Sequence, residues 1–175
     1  AFIWKVKLEM TPFLQIRGRD IFSEKHTEMN IRANGLVDIV KADGPKTVEG
    51  SLIRYLGEMV WYPSAAMGSA VQWKAVDSFN AIAMIHVGDK SAEALFTFDE
   101  PGRFKSLSAM RFMSEGDTLR TLWITEANEW QTFDGVEVPS SIEVSWMLPD
   151  GKWTWLKVRV TDMQWNPASI RKGIF

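Results

Sequence analysis

The sequence predicts a mainly β domain with one main helix. It is expected to form a curled antiparallel sheet, a half-barrel, with the helix packed in its concave face or mouth. Three observations predict this. Most of the chain alternates apolar and polar residues with a period of two, which marks half-buried strands. Turn pairs such as Asn34-Gly35, Asp134-Gly135 and Asp150-Gly151 separate successive strands and suit antiparallel hairpins. Only one stretch, 47 to about 62, carries a helical period, so strand–helix alternation and a parallel sheet are not expected.

The elements follow in order. Residues 2 to 10 place Phe2, Trp4, Val6, Leu8 and Met10 on one face and Lys5, Lys7 and Glu9 on the other. A Thr11-Pro12 turn leads to a strand over 13 to 22, and strands over 27 to 33 and 36 to 42 flank Asn34-Gly35. Thr47 is the expected N-cap of the helix, with Glu49 in the first turn, where the helix dipole favours a carboxylate. Leu52, Ile53, Tyr55, Leu56, Met59 and Val60 spread over about half of its circumference. Pro63 ends it at or just before Tyr62. Strands resume at 71 to 77, 80 to 87, 92 to 98, 104 to 112, 119 to 133, 136 to 148 and 153 to 165. Residues 80 to 87 are apolar on both faces, which predicts a central strand covered on both sides. Pro139, inside a strand pattern, predicts an edge or a bulge. About ten strands make a large sheet, and a sheet of that size must curl.

Composition narrows the function. The 175 residues suit one β-rich domain, 1–175, long enough to bury a core without staples. The chain opens at Ala1 inside a strand pattern, without an initiator methionine, so N-terminal strands of a longer protein are expected to be missing. With no cysteine there is no disulfide, zinc-thiolate site or thiol nucleophile. A net charge of −2 without lysine or arginine runs gives no nucleic-acid footprint. No apolar run reaches the roughly 20 residues of a membrane-spanning helix. Nine Trp and nine Met are the unusual feature. They suit an aromatic-rich core, a groove for an apolar ligand, or a membrane-facing rim.

The helix carries the candidate site. Arg54, Glu58 and Trp61 stand at i, i+4 and i+7, opposite the Leu52, Leu56 and Met59 stripe, with Gly57 beside them. Either this face is solvated, with a weak ion pair, or the whole helix is enclosed and these groups bond to strands. No titrating partner accompanies them, so no catalytic residue is assigned. With Arg17, Met59 and Trp73 they are the expected ligand contacts: a mostly apolar site with a few placed polar groups. Arg17 and Arg19 share one strand face and Asp20 points opposite. His26 and His86 lack metal-ligand spacing, and no metal or cofactor is expected. Lys157 and Arg159 alternate on one strand face with Trp153, Trp155 and Trp165, either a snorkelled outer face or one that meets a membrane or an acidic partner.

The segments IRGRD, LVDIVKADGP, SLIRYLGEMVWYPSA, VQWKAVD, FTFDEPGRF and FDGVEVPSSIEVSW occur in this order. Together they resemble a bacterial family of unknown function. Its members carry an R-G-R-D segment, a D/S-G-P turn, an L-x-R-x-L-x-E-x-x-W-x-P-x-A helix and a D-G-V-x-V-P hairpin, and are longer at the N-terminus. The resemblance spans nearly the whole chain and brings no activity with it. More loosely, the C-terminal half is similar to the LolA/LolB-like lipoprotein carriers, through FDGVEVP and the last strand VTDMQWN. That likeness implies a half-open barrel around a cavity for acyl chains, the 47 to 62 helix as lid or plug, and an extracytoplasmic or membrane-associated setting. The expected function is a non-enzymatic binding or carrier module for an apolar ligand such as a lipid or acyl chain. The competing expectation is a structural or protein-interaction module with a filled core, whose first strand offers an edge for dimerisation or strand addition. An enzyme of another type is the third and weakest reading.

Overall fold

In the computed structural model the described residues are 2–11, 14–23, 26–33, 37–42 and 44–163, with the four strands before residue 43 described as backbone only. The fold is mainly β with one main helix. Hydrogen-bonded pairing among the described residues divides the strands into two ladders rather than one large sheet. The first holds β1 (Phe2–Thr11), β2 (Leu14–Ser23), β3 (His26–Ala33) and β4 (Val37–Ala42), each antiparallel to the next. Asn34-Gly35 lies outside the described residues, although β3 and β4 pair as that hairpin requires. Then α1 (Pro45–Glu58), a 3-10 turn at Met59–Trp61 and the short α2 (Pro63–Ala66) take the chain out of the sheet.

The second ladder is a seven-stranded open meander. It holds β5 (Val71–Ala75), β6 (Asn80–Val87), β7 (Lys90–Phe98), β8 (Phe104–Arg111), β9 (Thr121–Phe133), β10 (Val136–Leu148) and β11 (Gly151–Arg159), in spatial order β11-β10-β9-β8-β7-β6-β5. Every strand neighbours the strand next to it in sequence, as hairpin turns demand. At the β9–β10 hairpin Asp134 has φ +46° and Gly135 φ +84°, two left-handed residues that match the twist of the flanking strands. Pro139 marks a bulge and not an edge: β10 lies between β9 and β11, and its register against β9 shifts between Pro139 and Ser141. Pairing with β11 begins at Ser141, so the missing N–H of Pro139 interrupts nothing there.

The helix begins earlier than the sequence reading has it and ends, as expected, just before Tyr62. Gly44 and not Thr47 is the N-cap, and Pro45 occupies the first helical position, where its fixed φ fits and its missing N–H is no loss. Glu49 therefore lies beyond the first turn. At the other end α1 stops at Glu58, and the chain tightens to a 3-10 turn before Tyr62 leaves helical space ahead of Pro63. No residue from Lys46 to Tyr62 is exposed, so the helix is enclosed rather than solvated along one face.

The core lies between α1 and one face of the large sheet. Leu52, Ile53, Leu56 and Met59 pack with Ala83, Ile85, Ala94, Phe96, Leu107, Ala109, Trp123, Val144 and Trp146. Two glycines sit at the contact and have opposite surroundings. A Cβ on Gly57 would stand 3.7 Å from Trp123 Cη2, an ordinary contact. A Cβ on Gly50 would stand 2.6 Å from Arg111 Nη2. That guanidinium is buried over the rings of Trp123 and Trp146, at 5.0 and 5.5 Å from their centroids, and has little room to yield. Gly57→Ala is expected to stabilise the fold by about 0.5–1 kcal/mol through helix propensity. Gly50→Ala is expected to lose about 1–3 kcal/mol to overpacking, less that same propensity gain. Denaturant unfolding of the two variants checks the difference in sign.

Strand β6 is covered on one side only. Ala83 and Ile85 are buried beneath α1, while Ile82 and Met84 on the other face are half-buried. A bulge also reorders the last strand. Thr154 opposes Ser145 but Leu156 opposes Val144, leaving Trp155 as the extra residue. Trp153 consequently faces Trp146, while Lys157 faces Glu143 on the other side of the sheet, so the expected shared face of Trp153 and Lys157 does not form. Trp165 lies outside the described residues.

Candidate functional site

A cavity opens where two neighbouring strands part. Strands β7 and β8 are paired only from Leu95–Phe98 to Phe104–Ser108. Beyond Leu95, β7 continues to Lys90 still paired with β6, and β8 continues to Arg111 still paired with β9. The fork between them holds a cleft of about 510 Å³. Ser91, Ala92, Glu93, Ala94 and Leu95 form one wall, and Ser108, Ala109 and Met110 the other. Ile82 and Met84 from β6 and Leu122 from β9 flank it, and Ile53 and Glu49 of α1 close it from the helix side. His86, Ser91 and Glu93 are exposed at its mouth. No sequence signal marks this cleft, because where a ladder stops depends on the divergence of two strands that each read as ordinary.

The β8–β9 connection clasps the start of α1 next to the cleft. Glu115 Oε2 accepts hydrogen bonds from the Thr47 backbone N–H and from Thr47 Oγ1, both at 2.9 Å. A loop carboxylate thus does the capping that no side chain of the helix itself does. Lys46 Nζ donates to the carbonyls of Glu115 at 3.0 Å and Asp117 at 2.6 Å. Arg120 binds Glu49 through two bonds of 2.9 and 2.8 Å, the planar fork matching the carboxylate. Lys46 and Arg120 both lie over the Phe112 ring, at 4.8 and 4.6 Å.

This clasp has a pH signature. Desolvation pushes the Glu115 carboxyl up, but the Thr47 hydrogen bonds and the Lys46 contacts outweigh it and hold the group below its ordinary value of 4.5. A depressed folded-state value means that the stabilisation is present above the ordinary value and lost as pH falls through the lower one. Protection of the Thr47 amide against hydrogen exchange is therefore expected to persist below pH 4.5 and to disappear at more acidic pH. In Glu115→Gln that acid transition is expected to be absent.

Of the expected ligand residues, Arg54, Glu58, Met59, Trp61 and Trp73 lie elsewhere and do not line the cleft. Met59 is in the core, only 2 % exposed. Trp61 donates from Nε1 to the Pro139 carbonyl at 2.8 Å, seating the helix end on the β10 bulge. Glu58 accepts a bond of 3.0 Å from the Tyr62 hydroxyl. Burial and then the Glu58 charge push the Tyr62 phenol far above its ordinary range. Arg54 is half-buried on the same helix. Trp73 is 40 % exposed; its ring meets the Phe96 ring edge-on at 4.9 Å and its Nε1 donates to the Ala66 carbonyl. The Arg17 side chain lies outside the described residues, and its backbone opposes Lys7 and Arg32.

The Trp123 ring lies beneath Gly57, and Trp123 Nε1 and Thr125 Oγ1 are buried without a hydrogen-bond partner among the described residues. Among the described residues no cluster of three or more His, Cys, Asp or Glu is arranged to hold a metal. No helix there is long and apolar enough to cross a membrane.

A family model covering residues 1–165 matches the chain. The chain belongs to DUF6920, a family of unknown function. No curated protein and no solved structure matches it, so the likeness to the LolA/LolB-like carriers gains no support from these comparisons. Within this DUF6920 member, the helix signature noted in the sequence seats the helix. Leu52 and Leu56 are buried, Glu58 and Trp61 are hydrogen-bonded, and Pro63 opens α2.

Proposed function

We propose that this domain is a non-enzymatic binding module that takes an apolar ligand into the cleft between β7 and β8. The observation that carries the reading is the cleft itself. Its volume of about 510 Å³ falls within the range of small-ligand sites. Ile53, Ile82, Met84, Leu95, Met110 and Leu122 supply its apolar lining, and the polar groups stand at its rim. The helix acts as the plug behind the cleft, held at its end by the Trp61 bond to Pro139 and the Tyr62 bond to Glu58. A lipid or acyl chain is one ligand of this kind, and the carrier likeness read from the C-terminal strands points the same way.

The test is native mass spectrometry of the purified protein, with organic extraction of whatever is bound. A discrete bound apolar species, lost in Met84→Asp while the fold is retained, is the expected result. A protein that stays free of ligand, and takes up none of an offered panel of fatty acids and apolar peptides, overturns the reading.

The interaction-module reading draws on one observation of its own. Strand β1 is an outer strand of its ladder and is open to pairing. Light scattering that finds only monomer at high concentration removes its dimeric form.

A further inference from the structure

The main chain in the fork narrows the class of ligand. The Phe98 N–H donates to the Phe79 carbonyl at 2.8 Å, which fixes the phase of β7. Even-numbered residues of β7 bond towards β6, and odd-numbered residues turn their N–H and C=O towards β8. Thr97 and Leu95 meet Ser106 and Ser108 there. Glu93 is next in phase, and the β7–β8 ladder gives it no opposite residue. By the same alternation Met110 of β8 turns its main chain towards β7, again with no residue opposite. Both residues line the cleft. Each wall therefore presents a strand edge, and an acyl chain that displaced water from it would leave those groups without partners.

Charge points the same way. Of the two glutamates lining the cleft, Glu49 is held by Arg120, whereas Glu93 is exposed and has no ion-pair partner among the described residues. From Leu95 to Ser91 the wall runs five residues, four strand steps of about 14 Å in all.

We propose that the fork accepts an extended peptide segment of about four residues, which pairs its backbone with Glu93 and Met110. The inference rests on the binding reading above and names its ligand. Alternate side chains of the guest lie against Met84, Met110 and Leu122 or reach towards Ile53, and one basic residue of the guest meets Glu93. Main-chain bonds then supply affinity, and the alternating pockets and Glu93 supply selectivity.

The test is a ¹⁵N NMR titration of the whole chain with three probes. The first is a pool of capped hexapeptides alternating apolar and Thr residues, with one central Lys. The second is the same pool with N-methylated alternate amides, which keeps the side chains and removes strand pairing. The third is palmitate. Saturable binding of the first pool is expected, with the Glu93 and Met110 amides shifting and slowing in exchange. At least a tenfold loss is expected for the N-methylated pool. Glu93→Lys is expected to reverse the preference from Lys-centred to Glu-centred peptides by a similar factor, a change that unfolding cannot mimic. Equal binding of the N-methylated pool overturns the proposal. Palmitate binding without peptide binding overturns it too, while the apolar-binding reading survives. Binding of neither removes both. A concentration-dependent dimer that shifts the Glu93 and Met110 amides without peptide assigns the fork to a second copy of the chain, and also overturns the guest-peptide reading.

Discussion

Trp123→Ala is expected to lower the unfolding free energy by about 3–5 kcal/mol. Its ring is only 4 % exposed, lies beneath Gly57 of α1 and carries the Arg111 guanidinium over its face. Removing it loses that packing, opens a void between helix and sheet, and takes away one of the two rings that Arg111 lies over. At roughly 2–4 °C per kcal/mol for a chain of this size, the melting temperature should fall by about 6–20 °C. Trp123→Phe should behave differently. The Trp123 Nε1 is buried without a hydrogen-bond partner among the described residues, so the smaller ring discards a polar group that none of them satisfies. Its cost is expected to stay below about 1.5 kcal/mol. Thermal and denaturant unfolding of the pair checks this, and a Phe variant as unstable as the Ala variant would show that the indole N–H is satisfied, for example by an ordered water.

Leu56→Ala is expected to cost about 2–5 kcal/mol. Leu56 is fully buried at the centre of the helix–sheet contact. A helix the length of α1 is marginal on its own in water, and its stability comes from the face it buries. The loss should therefore also appear as faster amide exchange along Pro45–Glu58, while β9 and β10 keep their protection. A uniform loss of protection across both would instead make helix and sheet one cooperative unit.

Much of this fold is legible in the sequence because hairpin turns and alternation are local. Asp134-Gly135 and Asp150-Gly151 fall where β9, β10 and β11 meet, and the strands of the seven-stranded ladder lie close to their expected spans except the last, expected over 153 to 165, which ends at Arg159. The failures share a cause: each depended on a distant residue. Thr47 looks like a helix cap by its own chemistry, but Pro45 moves the helix start and Glu115, across a loop, does the capping. Trp61 reads as part of a site because its partner is far away in sequence. Trp61 finds the Pro139 carbonyl only once the sheet has formed. Trp153 and Lys157 look like neighbours on one face until the bulge at Trp155 separates them. The fork is the extreme case, since nothing in KSAEALFTF or FKSLSAMR says that the two strands stop pairing halfway.

The unbroken meander order of the large sheet also bears on how the chain reaches its native state. Every pairing from β5 to β11 joins strands that are consecutive in sequence, so each step closes only a short loop and costs little chain entropy. The β9–β10 hairpin, with two strands of 13 residues and a favoured turn, is the natural place to nucleate, and pairing can spread outwards from it in both directions. Low contact order of this kind places the ladder among the faster-folding β architectures. The slow step is then expected to be the docking of α1 and the 3-10 turn after it, whose contacts with Trp123 and Pro139 reach far along the chain and need the sheet in place to receive them.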